Sequence, residues 1–224
     1  MEKSRKQPAA IPWLRWALMT GVGWFVGFFG GFVIAGALEP IVGSGPIQSV
    51  VAYAWLGSCL GAGVGLMQWL VLRRSIAGTA AWIGASAVGM GLAGGAGYGV
   101  AVLLFGYSEE LEDLSSATSV AGWMLAAAFG GIVTGVLQRR VLSPHLPNAG
   151  RWVAASAVTW ALSIAALGSM GLLATYLAPE ASPVGAGWFF AGLIAGGLVL
   201  GASSGGVMAR LSHPPAADGG SRRG

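Results

Sequence analysis

Six stretches of this chain, each twenty residues or longer, contain no charged side chain. They run roughly Trp16–Leu38, Val50–Leu72, Ala81–Phe105, Ser119–Gln138, Trp152–Leu177 and Gly187–Ala209. A helix rises 1.5 Å per residue, so about 20 apolar residues cross the hydrocarbon of a bilayer. A membrane barrel would be written as ten-residue segments of alternating polarity, and no such alternation runs here. The pattern predicts an all-α polytopic membrane protein with six transmembrane helices. Composition agrees: 9% of residues are charged and 55% hydrophobic, whereas a soluble domain carries about 25% charge. So few charges exclude a soluble enzyme, a disordered tail and a nucleic-acid-binding domain.

The charges are sorted by sign. Every Lys and Arg precedes the first stretch, separates the second from the third or the fourth from the fifth, or follows the sixth. Glu39, Glu109, Glu110, Glu112, Asp113 and Glu180 occupy the alternate connections, and only Glu2 and Asp218 sit with the basic residues. Basic segments resist translocation, so both termini are expected in the cytoplasm and the chain in the bacterial cytoplasmic membrane. This sorting accounts for the net charge of +4 without a nucleic-acid partner. Residues 1–12 then form a cytoplasmic tail, 13–211 the transmembrane domain and 212–224 a disordered cytoplasmic tail. The start resembles a signal peptide ending at Ala35-Gly36-Ala37, but its apolar run exceeds the 7–15 residues typical of one, so it is expected to be retained.

Two sequence frames recur. Trp16/Thr20/Val22/Trp24, Trp82/Ser86/Val88/Met90 and Trp152/Ser156/Val158/Trp160 share one spacing. Gly61/Gly65/Gln68, Gly131/Gly135/Gln138 and Gly201/Gly205/Met208 share another, at offsets of 70 residues. These frames predict three parallel helical hairpins, about 13–72, 81–141 and 151–211, in a pseudo-three-fold arrangement. The segment Gly-Leu-Met-Gln-Trp-Leu-Val-Leu-Arg-Arg (65–74), followed by Trp-Ile-Gly-Ala-Ser-Ala-Val-Gly (82–89), resembles uncharacterised bacterial multipass proteins of the cyanobacterial and Chloroflexi type. Those carry repeated GxxxGxxQWLVLR…AGxWVxASxVGW units. The resemblance covers most of 55–160. It departs where Arg139-Arg140 follow Gln138 and where Met208 replaces the third glutamine. It implies fold and location, and no activity.

Lipid offers helices little hydrophobic reason to associate, so close backbone approach must hold them together. Small residues four apart share a helix face. Gly27, Gly57/Gly61/Gly65, Gly91/Gly95, Gly131/Gly135 and Gly201/Gly205 are therefore expected to be packing ridges, in the manner of a glycine zipper. Trp13, Trp16, Trp82 and Trp152 open helices and Trp69 closes one, as in an interfacial aromatic belt. Trp55 and Trp188 are expected nearer the opposite face. Trp24 and Trp160 lie deeper and could face a hydrophobic ligand.

No ionisable residue lies deep in any stretch, which argues against a pump, a proton-coupled transporter or a cation channel. The single Cys59 forms no internal disulfide, and the histidines, His145 and His213, sit beside prolines outside the spans. No catalytic residues, no metal ligands and no cofactor are expected. Counting helical rise places Gln68, Gln138, Thr20, Ser86 and Ser156 at one depth near the basic end. They suit either a layer of interhelical hydrogen bonds or a site for a polar substrate or headgroup. Arg73, Arg74, Arg139, Arg140 and Arg210 close the even helices as topological anchors or as contacts for anionic lipid headgroups. Glu109–Asp113 is an external charge cluster. The leading functional expectation is a non-enzymatic membrane module: a scaffold, assembly or accessory subunit packing against membrane lipids, other membrane proteins or itself. The alternatives are a carrier or channel for a small neutral or lipophilic solute, and a binder of a quinone or carotenoid.

Overall fold

A computed structural model describes residues 11–42, 45–105, 116–177 and 186–212. Six helices follow in order: α1 (Trp13–Val42), α2 (Pro46–Leu72), α3 (Ala81–Phe105), α4 (Ala117–Leu142), α5 (Arg151–Leu177) and α6 (Ala186–Ser212). Over the described residues five of them, α1, α2, α4, α5 and α6, are long and apolar enough to cross a membrane. The tails through Ala10 and from His213, the segment Glu109–Asp113 and Glu180 lie outside the described residues, as does the side chain of Glu39.

The helices outrun the charge-free stretches. α1 continues past Leu38, α2 begins at Pro46, and α4 carries Arg139 and Arg140 in its last turn. A helix can extend beyond the hydrocarbon, so a charge marks the edge of the span and not the end of the helix. Local signals set the ends. Pro46 opens α2 after Gly45 in a positive-φ conformation (φ 141°), where proline's missing N–H costs nothing. Ser116 caps α4 by accepting the Ser119 amide at 3.1 Å. The connectors 73–80 and 143–150 start with the same turn. Ile76 and Leu146 each donate a backbone N–H to the carbonyl of residue 72 or 142 at 2.8 Å.

Each helix packs against its neighbours in sequence, and α6 packs against α1, so the six close into a ring. Phe28 with Phe189 and Phe29 with Phe190 join α1 to α6 by ring contacts of 5.6 and 5.9 Å. Tyr53 stacks on Tyr98 at 4.4 Å between α2 and α3. The core has two levels. One, at the arginine-bearing end, gathers Ile11, Trp16, Leu72, Ile76, Trp82, Leu142, Leu146, Trp152 and Met208. The other, deeper, gathers Trp24, Leu60, Val64, Met90, Trp160, Leu167, Leu193 and Leu200.

Glycine sets the helix separations. A Cβ at Gly57 or Gly61 would strike the backbone carbonyl of Met90 or Ser86 across the α2–α3 contact, and one at Gly65 would stand 2.6 Å from Ser86 Oγ. Across α4–α5, a Cβ on Gly131 would lie 2.6 Å from the Ser156 carbonyl, and one on Gly135 2.8 Å from Val153 Cα. Across α6–α1, Gly201 abuts the Ala17 carbonyl and Gly205 abuts Trp16 and Trp13. On the α1–α2 contact Gly27 faces the Cys59 carbonyl (2.7 Å), while Gly91 and Gly95 of α3 face Ser58 and Ala54 of α2.

Candidate functional site: a tryptophan–glutamine layer

Three of the four tryptophans at the helix starts are not exposed as an interfacial belt requires. Trp16, Trp82 and Trp152 are at most 2% exposed and meet one another inside the ring. Their centroids are 6.1, 6.1 and 5.6 Å apart, the two Trp16 pairs edge-to-face, an arrangement that aromatic quadrupoles favour. Trp13 and Trp55 remain substantially exposed and Trp69 and Trp188 partly so. A guanidinium, that of Arg73, lies 4.9 Å over the Trp69 ring.

A buried indole N–H needs an acceptor, and the glutamines provide it. Trp82 Nε1 donates to Gln68 Oε1 at 3.0 Å, and Trp152 Nε1 donates to Gln138 Oε1 at 2.6 Å. The indole can only donate, so each glutamine oxygen must face it and each amide nitrogen must turn away. Gln68 Nε2 then donates to Thr20 Oγ1 at 3.2 Å, and Gln138 Nε2 donates to Ser86 Oγ at 2.8 Å. Ser86 in turn donates to the Trp82 carbonyl at 2.8 Å. Each glutamine thus holds three helices: Gln68 on α2 joins α1 to α3, and Gln138 on α4 joins α3 to α5.

The third junction differs. Met208, 70 residues beyond Gln138, is fully buried in the same cluster as the three tryptophans. A thioether is a poor acceptor, and Trp16 Nε1 donates instead to Ser204 Oγ, one turn earlier, at 3.0 Å. Trp13 Nε1 adds a bond to the Ala202 carbonyl at 3.0 Å, and the Ile11 amide adds one to Ser212 Oγ at 3.3 Å. Ser156 is buried in the same layer. Met208→Gln is therefore expected to be tolerated and to add about 0.6 kcal/mol, the average for an interhelical hydrogen bond in a membrane protein. Reversible unfolding in mixed micelles measures it. A loss of more than about 1 kcal/mol would show that position 208 is not equivalent to 68 and 138.

Of the residues singled out from sequence, Gln68, Gln138, Thr20 and Ser86 are brought into one bonded layer. Arg73, Arg74, Arg139, Arg140 and Arg210 stand exposed at the same end. No acidic side chain is described near them, and among the described residues no ion pair forms and no cluster of metal-ligating side chains occurs. His145 is exposed in the 143–150 connector, and Cys59 is partly buried. Trp24 and Trp160 meet at 5.8 Å in the deeper core level, with Met90 in the same cluster. The tryptophan trio is not legible as a site from the residues taken singly. The signal that could have found it is the 14-residue interval from Gln68 to Trp82, repeated from Gln138 to Trp152.

The layer can do little chemistry. It holds no nucleophile–base pair among the described residues, and each glutamine bonds to neighbouring helices through both its oxygen and its nitrogen. No family model matches the chain, and no curated protein or solved structure matches it either.

Proposed function

We propose that this chain is a non-enzymatic membrane module of six spanning helices, α3 included. It would be built from three parallel hairpins about a pseudo-three-fold axis, as in the bacterial multipass proteins it resembles. Its role is that of a scaffold, assembly or accessory subunit, seated among lipids and other membrane proteins of the bacterial cytoplasmic membrane. The observation that carries this reading is the layer just described. Three indoles fill the ring at the arginine-bearing end, and both glutamines are committed to neighbouring helices. A carrier or channel would need a path where Trp16, Trp82 and Trp152 meet, and would need polar groups left over for a solute. The glycine contacts favour the same reading, since helices this close leave no wide pore.

The experiment is purification from native membranes in mild detergent, followed by identification of what travels with the chain. A stoichiometric membrane-protein partner, retained at high salt, is the expected result. Recovery of the chain alone, together with solute flux through proteoliposomes that Gln68→Ala/Gln138→Ala abolishes, would replace the module by a carrier.

The orientation is tested separately. The charge bias places the connectors 73–80 and 143–150 in the cytoplasm. In a Cys59→Ser background, cysteines at Ser75 and His145 are expected to resist a membrane-impermeant maleimide in intact cells and to react in inverted vesicles. Labelling in intact cells would reverse the topology.

A further inference from the structure

Among the described residues two buried side-chain polar atoms have no hydrogen-bond partner, Trp24 Nε1 and Thr134 Oγ1. Thr134 is closed in against Gly89 of α3. Trp24 has a different setting. Its ring is fully buried, yet its N–H edge lies against two adjacent glycines of α6. A Cβ on Gly197 would stand 3.2 Å from Trp24 Cδ1, and one on Gly196 would stand 3.2 Å from Cζ2. Those two carbons flank Nε1 on the indole edge. Gly197 also lines an apolar groove of about 320 Å³ on the outer face of the α1–α6 contact, with Gly21, Val22, Phe25, Ile194 and Leu198. Behind the glycine floor of this groove, then, sits a hydrogen-bond donor with nothing to bond.

Depth decides what could bond it. Trp24 lies nine residues beyond Arg15, about 14 Å along the helix, and the hydrocarbon is about 30 Å thick. The donor is therefore near the middle of the membrane. Acyl chains offer no acceptor there, and the ester carbonyls of phospholipids stay at the interface. A matching occupant is lipophilic and carries a carbonyl within its apolar frame.

At the depth of Trp24 no hydrogen bond crosses the α1–α6 seam among the described residues: those from Ile11, Trp13 and Trp16 all lie at the arginine-bearing end. The other two hairpin junctions are each bridged by a glutamine, whereas α6 has Met208 at that position. We propose that the α1–α6 seam binds a lipophilic carbonyl compound of the quinone class. Its oxygen accepts from Trp24 Nε1 after a small outward movement of α6, and its apolar remainder lies along Val22, Phe25, Ile194 and Leu198. This is independent of the scaffold reading: a module with or without a protein partner can hold such a ligand.

The test uses the full chain in lipid nanodiscs with ¹⁵N-labelled indoles and a decyl-substituted benzoquinone as probe. The Trp24 resonance is identified by its loss in Trp24→Phe. It is expected to shift saturably with quinone, and Trp24→Phe is expected to weaken binding, measured by equilibrium dialysis, about tenfold. Ile194→Trp fills the groove from its lipid-exposed side without touching the core, and is expected to abolish binding while the protein remains monodisperse. Three results would overturn the proposal: an unmoved Trp24 resonance at saturating quinone, equal binding by Trp24→Phe, or equal binding of decylbenzene, which lacks the carbonyl. A Trp24 resonance that exchanges with water and ignores quinone would likewise overturn it, assigning the donor to a buried water.

Discussion

Replacing Gly61 by leucine is expected to abolish the folded ring, while the same change at Gly84 leaves it standing. Both glycines lie inside helices and would be hard to rank from sequence. At Gly61 the first carbon of any side chain would strike the Ser86 carbonyl and come within 2.9 Å of Met90 Cβ; at Gly84 nothing lies within 4 Å. An overfilled core usually costs about 1–3 kcal/mol because side chains can shift. At Gly61 the obstacle is backbone, so α2 and α3 must move apart. Gln68 is two turns along the same face, so that separation also breaks the Trp82 bond to it. A cost well above about 3 kcal/mol is a large share of the 5–15 kcal/mol that holds a typical domain folded. The change to alanine should even differ in sign. Gly61→Ala destabilises, whereas Gly84→Ala gains about 0.5–1 kcal/mol from helix propensity. Thermal melting and gel filtration in detergent measure both. Equal melting of Gly61→Leu and Gly84→Leu would remove glycine packing from the account.

Gln138→Leu is expected to cost about 2–3 kcal/mol, more than an average membrane hydrogen bond. The average is low, about 0.6 kcal/mol, because an unfolded chain in a membrane also finds partners. Here the leucine leaves Trp152 Nε1 beside its ring neighbours Trp16 and Trp82, with no acceptor in reach. An orphaned buried donor carries its full desolvation penalty. Ser86 suffers less, since it still donates to the Trp82 carbonyl. Adding Trp152→Phe removes the orphan and is expected to recover part of the loss. A double-mutant cycle in reversible unfolding gives the coupling directly. Strict additivity of Gln138→Leu and Trp152→Phe would mean that the 2.6 Å bond contributes nothing.

What sequence conveys about this fold depends on which boundary is being read. The edges of the apolar spans, though not the ends of the helices, are legible because a charge such as Arg73 or Arg139 cannot sit in hydrocarbon. The common depth of Gln68, Thr20 and Ser86 is legible because helical rise is constant. The faces of the helices are not. A soluble helix declares its buried side by contrast with a polar one. Here both sides are apolar: Val88 faces outward at 54% exposure while Met90, two residues on, is 6% exposed. For the same reason Trp16 beside Arg15 looks like an interfacial anchor, although it is wholly internal. The glycine ridges were visible as ridges, but the helix each one would meet was not. Gly61 and Gly131 pack against the helix that follows, α3 and α5, which no spacing within α2 or α4 encodes.

Ring closure also governs the order in which the protein can be completed during synthesis. Trp16 emerges early, but its acceptor, Ser204, follows 188 residues later. Thr20 finds Gln68 after only 48 residues. Each contact between successive helices from α1 to α5 can therefore form as the next helix is made. The inward face of α1 beside Ala17 and Trp16 must meanwhile remain uncovered until α6 arrives. A nascent chain arrested before Ala186 would present an unbonded indole and the bare backbone at Ala17 to whatever surrounds it. Whether lipid or an insertion factor shields that face, the last helix is the one that ends the exposure.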